Sequence, residues 1–176
     1  MAGTPGKKQK IATIVGARPQ FIKCSLLSHA LRGLGFTERL IHTGQHYNPQ
    51  LSEIFFRELG IPKPDLNLGI GSDTQGRQTG RMMIALEEAF EQDRPDLVLV
   101  FGDTNSTLAA ALVAVKMNIP LAHVEAGMRS GNRAMPEEHN RVVTDHLADL
   151  LFCHNQVTAN RLAEENISGR VIISGD

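Results

Sequence analysis

Asp103, Glu125 and the neighbours Glu137 and Glu138 occupy positions where carboxylates can do chemistry. The apolar runs 97–101 and 119–124 are hydrophobic on both faces and end at Gly or a charged residue, the pattern of strands buried within a parallel sheet. Asp103 follows the first run and Glu125 ends the second. In an open α/β sheet, ligands bind beyond the carboxyl ends of the strands, so both acids are expected in one crevice. Glu137 and Glu138 follow Pro136 at an expected helix start. Acids converging from these positions can accept a proton or stabilise positive charge that develops on a substrate.

Each acid also has a plainer use. Asp103 opens the run Asp103-Thr104-Asn105-Ser106-Thr107, whose side chains cap helices well and equally offer a carboxylate and hydroxyls to a sugar. Glu137 and Glu138 favour a helix N-terminus through the macrodipole. Glu125, closing a buried strand, must be paired or face a cleft. His123 reads as a satisfied core histidine, and no His, Cys and Asp set has metal-ligand spacing, so no metal is expected.

The elements that must position these groups follow from periodicity. A strand over 11–15 ends at Gly16-Ala17-Arg18-Pro19, and Pro19 suits the first turn of a helix. Ile22, Leu26, Leu27, Ala30, Leu31 and Leu34 then recur at helical spacing until Gly33 and Gly35. Free amides at that helix start form an anion site within reach of Arg18 and Lys23, although a solvated Arg and Lys fit the same residues. A second strand over 39–43 leads into Gly44-Gln45-His46-Tyr47. Beyond it come a helix over 50–59, a short strand over 65–68, a polar stretch over 69–80 that reads as a loop or a helix entry, and a helix over 78–92. After the 97–101 strand, a helix is expected over 108–115, another from Pro136 to Leu147, a strand over 150–153, a helix over 156–165 and a last strand over 171–173. These roughly six alternating βα units predict an α/β fold, a doubly wound Rossmann-like parallel sheet.

With 176 residues, 41% of them hydrophobic, the chain is one domain that needs no staples. A net charge of −1 argues against nucleic acid or an anionic membrane as partner. No apolar run approaches a membrane span. Residues 1–10 are polar and basic, with Gly and Pro, and read as a flexible leader. Cys24 and Cys153 read as buried free thiols of a reducing, cytoplasmic setting.

Five motifs occur in order: Gly16-Ala17-Arg18-Pro19-Gln20-Phe21-Ile22-Lys23, Gly44-Gln45-His46, Gly102 to Thr107, His123 to Arg129 and Pro136 to Arg141. Together they resemble the non-hydrolysing UDP-N-acetylglucosamine 2-epimerases, over residues 11–176. The resemblance implies the amino-terminal half of a two-domain GT-B fold, with the second domain absent from this chain. It also implies a UDP-sugar substrate and a homodimer in the full-length enzyme. Asp103, Glu125 and Glu137 match the family's catalytic carboxylates. Arg18, Lys23 and Arg141 match its substrate- and phosphate-contacting positions, and Gln45 and His46 match residues near its activator site. The family's catalytic histidine and most of its uridine diphosphate pocket lie in the second domain. Gln20 stands where the family usually has Glu, and the first motif looks more like the branch acting on UDP-2,3-diacetamido-2,3-dideoxyglucuronic acid.

In the route this resemblance implies, UDP is eliminated to give a glycal, then added back after reprotonation on the other face. Positive charge builds on the ring as the anomeric bond breaks, as in glycoside cleavage. Several carboxylates, with cations reserved for the diphosphate, meet that need without a redox cofactor, and the first Gly loop lacks the full dinucleotide fingerprint. Two competing readings are a GT-B glycosyltransferase and a standalone nucleotide-sugar binding domain.

Overall fold

The computed structural model describes residues 8–45 and 63–175; the helix expected over 50–59 lies outside them. Seven parallel strands form one sheet: β1 (Lys10–Val15), β2 (Thr37–His42), β3 (Leu66–Asn67), β4 (Leu97–Phe101), β5 (Leu121–Val124), β6 (Leu150–Cys153) and β7 (Arg170–Ile173). Their order is β3-β2-β1-β4-β5-β6-β7. The described helices are α1 (Arg18–Gly33), α2 (Gln75–Gln92), α3 (Asn105–Lys116), α4 (Pro136–Leu147) and α5 (Gln156–Glu164).

β1 and β4 are buried along nearly their whole length because both faces of the sheet are covered there. Ile11 and Val15 pack with Phe21 and Cys24 of α1 on one face. Ala12 and Ile14 pack on the other with Met82, Leu86 and Phe90 of α2 and the alanine-rich side of α3. Crossovers between parallel strands are right-handed, so reversing the direction of strand addition moves the helix to the opposite face. That reversal falls between β1 and β4, where open α/β sheets form their ligand crevice.

Helix α2 begins at Gln75, ahead of the expected start near 78, so the carboxyl end of the 69–80 stretch is helix entry rather than loop. Burial of Gln78, Met82, Leu86 and Phe90 along one side outweighs the cost of Gly76 and Gly80. In α1, Ile22 and Leu26 are 51% and 79% exposed, as is Leu34 just beyond it at 76%, while Gln20, Phe21, Cys24 and Ser28 are buried. The seated stripe is therefore partly polar: Ser28 and Thr13 hydroxyls, together with Arg32, satisfy the buried carboxylate of Glu38. Leu26 and Leu27 instead border an apolar groove of about 500 Å³ over β4, β5 and β6. Both cysteines are free and buried, and burial pushes the Cys24 thiol up to about 11.

Gly16 ends β1 at the point of closest approach to α3. A Cβ there would overlap Ser106 Oγ and lie 2.6 Å from Thr43 Oγ1, two atoms that bond each other at 2.8 Å. We expect Gly16→Ala to destabilise the chain by about 1–3 kcal/mol, measured by urea unfolding; unchanged stability would show that the neighbours move aside freely.

His42, at the end of β2, is buried and stacked on Phe21 with ring centroids 5.0 Å apart. Burial lowers its pKa from 6.5 to about 4, and its Nδ1 accepts from the Gly44 amide. The unfolded chain therefore binds more protons than the folded one between those values, so stability falls as pH drops through that window. His42→Asn should flatten the slope of stability against pH between 6.5 and 4, whereas an identical slope would place the proton uptake elsewhere.

Candidate active site at the carboxyl ends of β1, β4 and β5

Three loops meet at the crevice, and Gln20 fastens two of them. Its Oε1 accepts from the amides of Gly16 at 2.7 Å and Ala17 at 3.0 Å. Its Nε2 reaches the carbonyl of Phe101 at 2.7 Å and the hydroxyls of Thr104 and Thr107 at 3.0 and 3.1 Å. One buried amide thus locks the start of α1 to the end of β4. The same contacts occupy two of the amides that a phosphate would otherwise use at this helix start.

The choice between cap and chemistry at Asp103 has a local answer. Thr104, not Asp103, is the N-cap of α3, its Oγ1 accepting from the Thr107 amide at 3.3 Å. Ser106 and Thr107 are buried, their hydroxyls held by Gln45 and by the Phe101 carbonyl, so they serve the frame rather than line the crevice. Gly102 takes a positive φ of 60°, and beyond this turn the Asp103 carboxylate forms an ion pair with Arg141. Arg141 also reaches Glu138 Oε2 at 3.1 Å. Its buried Nε has no hydrogen-bond partner among the described residues. Asn140 completes the clamp by donating to the Asp103 carbonyl at 2.9 Å and to Asn105 Oδ1 at 3.1 Å.

Glu125 follows β5 with φ of 74°, a left-handed conformation that costs a non-glycine residue energy and that clusters at functional sites. Its Oε1 pairs with Lys23 Nζ at 2.7 Å, while Oε2 lies 3.4 Å from where a Cβ on Gly102 would stand. Glu125, paired with Lys23, therefore packs beside Gly102, the residue before Asp103 and its partner Arg141.

Glu137 is half-buried in the first turn of α4, and its carboxylate makes no hydrogen bond or ion pair with the described residues. The acid tied into the network is Glu138. Burial alone would raise its pKa, but the amides of Ser130 and Gly131, the Ser130 hydroxyl and Arg141 lower it from 4.5 to about 2. Gln45 is buried, its Oε1 accepting from the Ser106 amide at 3.0 Å and hydroxyl at 2.7 Å, so its carbonyl oxygen braces α3. Arg18 is the first residue of α1, and His46 lies outside the described residues.

Nothing in local periodicity marks the roles of Gln20 and Asn140, because their partners lie up to 87 residues away. Glu138, a candidate beside Glu137, is told apart from it only by its contacts with Ser130, Gly131 and Arg141. Among the described residues, no group of three His, Cys, Asp or Glu could hold a metal, and no helix is long and apolar enough to cross a membrane.

Comparison with known proteins fits this geometry. Residues 29–176 match the family model described as UDP-N-acetylglucosamine 2-epimerase. The chain is 49% identical over 171 residues to the UDP-2,3-diacetamido-2,3-dideoxy-D-glucuronate 2-epimerase of Pseudomonas aeruginosa, covering 95% of this chain and 48% of that protein. It superposes on the UDP-GlcNAc 2-epimerase of Methanocaldococcus jannaschii, solved with UDP-GlcNAc and UDP, with a TM-score of 0.92 and 46% identity, covering 96% of this chain and 47% of that one. The Neisseria meningitidis UDP-GlcNAc 2-epimerase bound to UDP-GlcNAc gives a TM-score of 0.89 at 32% identity, covering 96% and 46%. The chain thus spans about half the length of these relatives. Matched over most of its residues by that one model, the chain belongs to the UDP-N-acetylglucosamine 2-epimerase family.

Proposed function

We propose that this chain is the amino-terminal domain of a non-hydrolysing UDP-sugar 2-epimerase, an isomerase that interconverts UDP-GlcNAc and UDP-ManNAc. The observation that carries the reading is the pair of carboxylate–cation contacts, Lys23 with Glu125 and Arg141 with Asp103. A diphosphate arriving at the crevice competes for both cations. Exchange of partners would leave the carboxylates facing the sugar ring as the anomeric bond weakens. One of them takes the C2 proton while C1–O breaks and UDP leaves with the bonding pair, giving the glycal. Lys23 and Arg141 receive the negative charge of the leaving group. Glu137, with no ion-pair partner among the described residues, adds a third carboxylate. Return of a proton to the opposite face of C2 and re-addition of UDP complete the inversion. Arg18 at the start of α1, and Gln45 and His46 after β2, are assigned to substrate binding on the strength of their motifs. The 49% identity to the Pseudomonas enzyme favours a second substrate, UDP-2,3-diacetamido-2,3-dideoxyglucuronate, handled by the same chemistry. UDP-sugars are too highly charged to cross a bilayer unaided, which favours a cytoplasmic enzyme. Sedimentation of a full-length enzyme tests the homodimer.

A full-length enzyme carrying this domain, incubated in heavy water with either UDP-sugar and no acceptor, should form the C2 epimer with deuterium at C2. A strict requirement for a sugar acceptor would instead make the protein a glycosyltransferase. In that enzyme, Asp103→Asn and Glu125→Gln should each lower kcat by about 10²- to 10⁴-fold with the melting temperature little changed. Near-normal turnover in both variants would place the chemistry elsewhere.

The chain by itself should show little or no epimerase activity, because preorganised groups on both sides are needed to hold the diphosphate in line. Robust turnover by the purified 176-residue protein would refute that.

A further inference from the structure

His123 lies in β5, fully buried, two residues before Glu125, and both of its ring nitrogens face acceptors. Nδ1 is 2.7 Å from Asp145 Oδ1, and Nε2 is 2.7 Å from the carbonyl oxygen of Gly102. A neutral imidazole offers one N–H and one lone pair, so one of these two contacts would set a lone pair against an oxygen at hydrogen-bonding distance. The imidazolium alone donates at both ends.

The surroundings match that charge. Asp145, on α4, also accepts from Arg129 Nη1 at 2.6 Å and from the Gly127 amide at 3.1 Å. Arg129 grips both oxygens of Glu165, just beyond α5, at 2.9 and 2.6 Å. On β6, Cys153 is a thiol that burial pushes toward its neutral form. Glu125 lies across Gly102 and is paired with Lys23. Asp145 is fully buried and is the carboxylate that His123 meets away from water, whereas Glu165 is 30% exposed and Arg161 donates to the neighbouring Gly127 carbonyl at 3.3 Å.

We propose that His123 is held as an imidazolium and serves as a positioning residue. Through the Gly102 carbonyl it fixes the positive-φ turn that presents Asp103 beside Glu125. The charge state follows from the contacts alone, whereas the positioning role rests on the proposed epimerase reading of the crevice.

Nitrogen NMR of the 176-residue chain labelled at histidine reads the charge directly. At pH 7 both ring nitrogens of His123 should carry a proton, and a single protonated nitrogen overturns the proposal. This wild-type spectrum decides the point whether or not any variant folds. Asp145→Asn, which removes the counter-charge, should return His123 to one protonated nitrogen; retention of both protons would overturn the counter-ion role of Asp145. In a full-length enzyme, His123→Gln should lower kcat about 100-fold while KM stays within about threefold. Unchanged kcat removes the positioning role. Absence of epimerisation by the wild-type enzyme removes the functional reading instead, and leaves the NMR result standing.

Discussion

The crevice depends on the Gln20 side chain, a neutral amide that satisfies donors on one loop and acceptors on another at once. The β1 and β4 ends lie on either side of the topological switch, where no helix crosses between them on a common face. Sheet pairing aligns Ile11 with Leu97 through Thr13 with Leu99, but it stops short of the loops. Beyond that point the approach of Gly16 to α3 and the placement of Asp103 are set by side-chain hydrogen bonds. Because the groups are buried, leaving any one of them unsatisfied costs more than the bond itself contributes.

Around this brace the electrostatics are arranged in pairs. Two carboxylates, Asp103 and Glu125, each meet a cation, and the proposed diphosphate chemistry draws on both signs. A third, Glu138, is turned inward and held by two backbone amides, so its charge orders the loop over 130–131. Deeper still, Arg129, Asp145 and His123 form a buried chain ending at the Gly102 carbonyl. The two ion pairs thus lie where the carboxylates are partly solvated and the groups that hold them lie below, a division that would let a substrate displace some partners but not others.

Much of this was legible in the amino-acid order. The strands β4, β5 and β6 stand where unbroken apolar runs placed them, because strands buried on both faces need no polar alternation. Asp103 and Glu125 follow strand ends, so their location at the crevice required only the rule for parallel sheets. The start of α2 was harder: Gly76 and Gly80 looked like loop residues, and burial against α3 decided otherwise. The apolar periodicity of α1 marks a helix but not its buried side, because Leu26 is exposed and polar Ser28 is seated inward, where Glu38 on β2 needs donors.

The sequence alone thus determined the order of the elements, the parallel sheet and the crest on which the acids stand, since each is written in residues near one another in the chain. Tertiary structure decided which acid meets which cation. It also decided that Thr104 caps α3 and leaves Asp103 to pair with Arg141, that Glu138 rather than Glu137 joins Arg141, and that His123 has an acceptor at each nitrogen. Such pairings join side chains from separate elements within hydrogen-bonding distance, and no local pattern encodes them, because their geometry exists only after the sheet has assembled and its helices have packed.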